Sequence, residues 1–178
     1  MEIFDLYTAE REKTGKTMVR GEPVPEGFYR LVVHVCIFHP DGRMLIQQRQ
    51  PFKSGWSNFW DVSVGGSAVS GDSSRSATER ETLEELGLSI DLSEVRPTLT
   101  IHWEHGFDDY YVLTMPVDLQ ALRLQYEEVQ KVRWATLEEI LQMIGDGQFI
   151  PYEKSLIELL FFRKDHRGAH TGSDPTKR

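Results

Sequence analysis

Three glutamates in one short stretch carry the most chemistry in this chain. Glu81, Glu84 and Glu85 fall within SSRSATERETLEEL (residues 73–86), where Ser73 or Ser74 can cap a helix and Gly87 can close it. At about 100° per residue, Glu84 and Glu85 lie roughly 60° and 40° to either side of Glu81, so all three share one face. Three neighbouring anions repel unless they are fully solvated or neutralised, and hard oxygen donors of this kind suit Mg²⁺ or Mn²⁺.

The elements that must hold this face can be read from apolar patterning. Residues 2–8 and 16–20 flank a polar turn, Thr8 to Gly15, and predict an opening hairpin followed by the loop RGEPVPEG at 20–27. LVVHVCIF (31–38) is the nearly continuous apolar run of a strand covered on both faces. The turn HPDG and the strand RMLIQQR (43–49) follow, and this second hairpin is expected at the centre of the sheet. Further strands are expected in VRPTLTIHW (95–103), YYVLTMPV (110–117) and VQKVRW (129–134). Thr136 and Glu139 form a capping box ahead of LEEILQMI, which Gly145 ends, and Pro151 introduces the core-packed helix YEKSLIELLFFRK. The fold class is therefore α/β (α+β), a mixed sheet with about three helices, forming one domain over residues 1–164 and a disordered tail over 165–178.

The segment GGSAVSGDSSRSATERETLEELGL (65–88) resembles the Nudix box, with Gly66, Arg80, Glu81, Glu84, Glu85, Gly87 and Leu88 on the required positions. Asp72 stands where the box has its first Glu, and Thr82 replaces its first apolar residue. The resemblance implies a Nudix α/β/α sandwich and hydrolysis of a diphosphate bond in a nucleoside diphosphate linked to some other group. It also implies that Glu81, Glu84 and Glu85 hold Mg²⁺ with the Gly66 carbonyl as a further ligand. In that chemistry Arg80 orients Glu81, and Glu81 or a carboxylate from a later loop takes the proton of the attacking water.

A finer resemblance covers RMLIQQRQPFKSGWSNFWDVSVGGSAVSGDS, which is similar to type I isopentenyl-diphosphate isomerase and the Nudix hydrolases related to it. Trp60 meets the tryptophan of the isomerase's WTNSVCGHP, Gly65 meets its catalytic cysteine, and Ser67 and Arg30 meet two of its metal histidines. Arg49 and Lys53 meet residues that contact the diphosphate, and an Arg fork with a Lys point charge suits phosphate oxygens. In the loop HWEHGFDDYY (102–111), Glu104 is preferred over Asp109 as a further carboxylate, against the ordinary reading of a charged hairpin tip. Glu127 and Glu128 cap or line the same cleft. Trp56, Trp60, Trp103 and Tyr110 are candidates to stack on a base, against the ordinary reading of core aromatics. His34 reads as a satisfied core histidine, and His166 with His170 has ligand-like spacing without a framework.

Composition narrows the classes. The 178 residues carry a formal charge of −8, and because residues 163–178 hold five Lys/Arg against two Asp, the rest carries −11. Such a body disfavours a nucleic-acid polymer as partner. The single cysteine, Cys36, permits no intrachain disulfide and fits a reducing, cytoplasmic setting. No apolar run is long enough for a signal peptide or a membrane span. The expected activity is a Mg²⁺-dependent pyrophosphohydrolase acting on a nucleotide or other small diphosphate. Isopentenyl-diphosphate isomerisation and diphosphate sensing without cleavage are the alternatives. A homodimer exchanging the opening hairpin is a further expectation.

Overall fold

The computed structural model describes residues 2–170 and 172. Strands β1 (Ile3–Tyr7) and β2 (Lys13–Val19) form a separate two-stranded sheet. Its turn is shorter than the sequence suggests, because β2 starts at Lys13 and Arg11 takes the left-handed φ of 65° that reverses the chain.

The large sheet is built on β3 (Arg30–Phe38). It pairs in parallel with β8 (Gly106–Thr114) along its whole length and antiparallel with β6 (Val64–Ser67) along its first half. Beyond these lie β7 (Leu99–Trp103) against β8, and a second group in which β4 (Met44–Arg49) pairs with β5 (Trp60–Asp61) and β9 (Val129–Ala135). The expected β3/β4 hairpin is thus corrected: the two strands meet only at Phe38↔Met44. The buried hydroxyl of Ser63 is wedged where they diverge, accepting from Ile37 N at 2.8 Å and donating to Leu45 O at 2.6 Å. It satisfies two backbone groups that a continuous ladder would have paired.

Alternate residues of β3 feed the two faces of the sheet. Val35 and Ile37 pack toward helix α1 (Ser74–Leu86), whereas Cys36 and Phe38 pack toward α2 (Leu137–Gly145) and α3 (Lys154–Arg163). The result is a helix/sheet/helix sandwich, as expected. Ser73 caps α1 through Ser76 N, and Gly87 closes it at φ 65°. The remaining carbonyls at its end are met by the following loop, with Arg123 N donating to Leu86 O and Gln125 N to Glu85 O. Thr136 and Glu139 cap α2 reciprocally. No helix among the described residues is long and apolar enough to cross a membrane. Asp165 to His170 form neither helix nor strand, and the rest of the expected tail, apart from residue 172, lies outside the described residues.

Residues 102–111 belong to the β7/β8 hairpin, whose charged tip is only Glu104 and His105, so that 106–109, expected within the loop, lie in β8. Asp109 is fully buried inside β8 because Arg11 meets both of its oxygens, at 3.0 and 2.7 Å, and Thr100 and Ser74 donate to it. A carboxylate so completely partnered can sit in a strand core.

Candidate functional site

The glutamate face is ordered by a single cation. Arg80 Nη1 donates to Glu81 Oε1 at 2.9 Å and to Glu84 Oε2 at 3.0 Å. Its other edge is fixed by Asp72, whose Oδ2 accepts from Nη2 at 2.9 Å and from Nε at 3.2 Å, and by Ser67 O. Asp72, which stands where the box has its longer first glutamate, thus reaches Arg80 from the loop before the helix. The other departure is absorbed too: Thr82 is fully buried but donates its hydroxyl to Thr78 O at 2.7 Å, so its apolar site carries no unpaired group.

The three carboxylates differ in exposure. Glu84 is 49% exposed, Glu81 is largely covered, and Glu85 is buried with Gln47 Nε2 donating to it at 2.9 Å. Among the described residues no three acidic, His or Cys groups stand in a finished metal cage; Arg80 lies between Glu81 and Glu84, and Glu85 turns to Gln47. The donor set nonetheless fits a divalent cation. Burial pushes the Glu81 carboxyl up to about 7 and the Glu85 carboxyl up to about 8, with Glu81 itself, Glu128 and Asp61 adding like charge against Glu85. Carboxylates desolvated and crowded in this way gain most from a hard cation. Gly66 supplies the cradle: a Cβ there would meet the Glu81 carboxyl carbon and both oxygens at 2.5 Å or less. Only a glycine lets this carboxylate lie against the β6 backbone.

Beside Gly66 opens a cleft of about 450 Å³. Its floor includes Arg30, Val32 and His34, which alternate along β3, together with Gly65–Ser67 of β6 and Asp108 of β8. Arg49 and Lys53 also line it, with Lys53 ion-paired to Glu128 and Arg49 Nε donating to Gly55 O at 3.3 Å. Glu128 thus lines the cleft, whereas Glu127 faces solvent. Glu104 does not belong here: its side chain is 85% exposed at the hairpin turn, and Asp108 occupies the position expected of it. Strand alternation explains the difference, since Asp108 points to the cleft and Asp109 to the opposite side.

His34 also departs from expectation. It stacks on Tyr110 at 4.5 Å, its Nε2 lies 3.5 Å from Asp108 Oδ2, and its buried Nδ1 has no hydrogen-bond partner among the described residues. Trp103 Nε1 donates to the other oxygen of Asp108 at 2.8 Å. Of the candidate aromatics, Trp56 and Trp103 line the cleft, while Tyr110 is core and Trp60 packs against the α2–α3 cluster under Lys131 and Arg133. Asp61, held by Tyr152 Oη at 2.7 Å, was not anticipated. The period-two pattern Arg30, Val32, His34 was the available signal for the floor. His166 stacks on Phe162, and His170 lies outside any helix or strand.

Comparison with known proteins agrees with this geometry. The NUDIX domain profile matches residues 28–154. An uncharacterized Nudix hydrolase of Listeria innocua is 51% identical over 152 residues, covering 85% of this chain and 90% of its own. The crystal structure of DR0079 from Deinococcus radiodurans superposes with a TM-score of 0.72 at 28% identity, covering 89% of this chain and 97% of that one. An isopentenyl-diphosphate Delta-isomerase of Halobacterium salinarum is 31% identical over 81 residues, 46% of this chain and 38% of its own. With its box on α1, its cleft on β3 and these relatives, the chain belongs to the Nudix hydrolase family.

Proposed function

We propose that the protein hydrolyses a diphosphate linkage in a nucleotide or another small diphosphate, with Mg²⁺ or Mn²⁺ held by Glu81, Glu84, Glu85 and the Gly66 carbonyl. The observation that carries this reading is the fit of the Glu81 carboxyl against Gly66 at the edge of the cleft, with Arg80 joining Glu81 to Glu84. Bound there, the cation supplies Lewis acidity toward phosphate oxygens and toward water. Arg49 and Lys53 bind the remaining phosphate oxygens, Arg49 by its planar fork and Lys53 as a point charge. Arg80 holds one oxygen of Glu81 and leaves the other for water. Glu81 or Asp108 takes the proton of the attacking water.

The isomerase alternative is disfavoured by packing. A Cβ at Gly65, where the isomerase has its cysteine, would stand 3.2 Å from His34 Nδ1. Cys36 cannot substitute, because it is fully buried and burial pushes its thiol far above the usual range. The accommodation of both Asp72 and Thr82 favours cleavage over ligand sensing.

Turnover of a panel of nucleoside di- and triphosphates, nucleotide sugars, dinucleotides and prenyl diphosphates tests the proposal. Wild type is expected to release phosphate or pyrophosphate from at least one class, and Glu84→Gln to lose at least about 100-fold of that rate. An inert wild type, or full activity in Glu84→Gln, overturns it.

A further inference from the structure

The opening hairpin touches the glutamate face through a chain of polar contacts. From β1, Asp5 grips the turn that precedes α1, its Oδ1 accepting from Ser70 Oγ at 2.7 Å and its Oδ2 from Gly71 N at 3.0 Å. From β2, Lys13 Nζ lies 2.7 Å from Asp5 Oδ2 and donates to the backbone oxygen of Asp72, also at 2.7 Å. Ser70 N donates to Ile3 O at 2.7 Å. Both strands therefore straddle Ser70–Asp72, and Asp72 is the residue whose side chain fixes Arg80, which in turn holds Glu81 and Glu84. A second hold lies at the hairpin turn, where Arg11 binds Asp109 and Asp109 accepts from Ser74 Oγ, the first residue of α1, at 2.6 Å. The segment from the turn to the helix start is thus clamped at both ends by one hairpin.

We propose that the N-terminal hairpin is a positioning device for the metal face, in which Asp5 and Lys13 act through the Ser70–Asp72 turn and Arg80 to set where Glu81 and Glu84 present their oxygens. This rests on the metal assignment above. Groups that orient metal ligands affect affinity by about 10–100-fold when removed. Asp5 acts one step further out, so the low end applies.

The experiment measures binding of Mn²⁺ alone by titration against the free-ion electron paramagnetic resonance signal, with thermal melting in parallel. Asp5→Asn and Lys13→Met are each expected to weaken Mn²⁺ binding about tenfold. Their combination is expected to cost little more than either, because both act on one turn. Ser70→Ala, which removes a single hydroxyl, keeps the test valid if the others fold poorly, and is expected to weaken binding about threefold. Leu160→Ala, in the separate α2–α3 cluster, lowers stability without touching the clamp and is expected to bind Mn²⁺ as wild type does. Hairpin variants that bind Mn²⁺ normally overturn the proposal while leaving the metal site intact, and so does an equal loss in Leu160→Ala. A wild type that takes up no Mn²⁺ overturns the metal assignment and the clamp together.

Discussion

Replacing Gly66 with alanine separates folding from catalysis. The added methyl would meet the Glu81 carboxyl at 2.5 Å or less, whereas non-bonded carbons settle at about 3.5–4.0 Å, so the carboxyl must retreat by at least about 1 Å. What it meets is the far end of a side chain with three rotatable bonds, and the β6 backbone need not move. The expected stability loss is therefore no more than about 1 kcal/mol. Turnover is far less tolerant. A displacement of about 1 Å in a reacting constellation costs on the order of 100-fold, or about 2.7 kcal/mol of transition-state stabilisation. The assay is kcat on a cleaved diphosphate at saturating Mg²⁺, paired with a thermal melt. Gly145→Ala is the control, since a methyl there meets nothing within 4 Å, and it is expected to keep wild-type turnover. A Gly66→Ala enzyme within about threefold of wild type would refute the role given to this glycine.

The remaining expectations are more compact. In metal-free protein the folded state keeps protons on Glu81 and Glu85 up to about pH 7 and 8, whereas the unfolded chain releases them near 4.5, so stability falls as pH rises between those limits and levels off above about 8. Melting in EDTA from pH 5.5 to 9 checks this, with a flatter upper limb in Glu85→Gln; a rising melting temperature across the window contradicts it. Arg49→Ala and Lys53→Ala are expected to raise KM about tenfold each with kcat nearly unchanged, and steady-state kinetics decides whether kcat falls instead. Gly65→Cys is expected to show no deuterium exchange into isopentenyl diphosphate, because its side chain is crowded by His34; measurable exchange would revive isomerisation.

What could be read in advance was local. The cap at Ser73, the left-handed closure at Gly87, the Thr136–Glu139 box and the spacing of the glutamates each depend on residues within a few positions of one another, and all appear as expected. What escaped depended on partners far away. Asp109 looks like a surface charge until Arg11, 98 residues earlier, neutralises it inside β8. The separation of β3 from β4 hangs on the hydroxyl of Ser63, and neither strand announces it. The sequence favours Glu104 over Asp109 and passes over Asp108, because a run of charges carries no visible alternation between faces. His34 was hidden by its apolar neighbours, although Arg30 and Val32 continue its face.

The parallel ladder between β3 and β8 has a consequence for how the chain is made. All nine of its pairs, from Arg30↔Gly106 to Phe38↔Thr114, join residues 76 positions apart. At the usual pace of synthesis, roughly 4–15 s pass between the emergence of one strand and of its partner. During that interval β6 can already shield one edge of β3, but the other, next to the most apolar run in the chain, stays bare. A naked edge of this sort is a template for pairing with a neighbouring nascent polypeptide until β8 covers it.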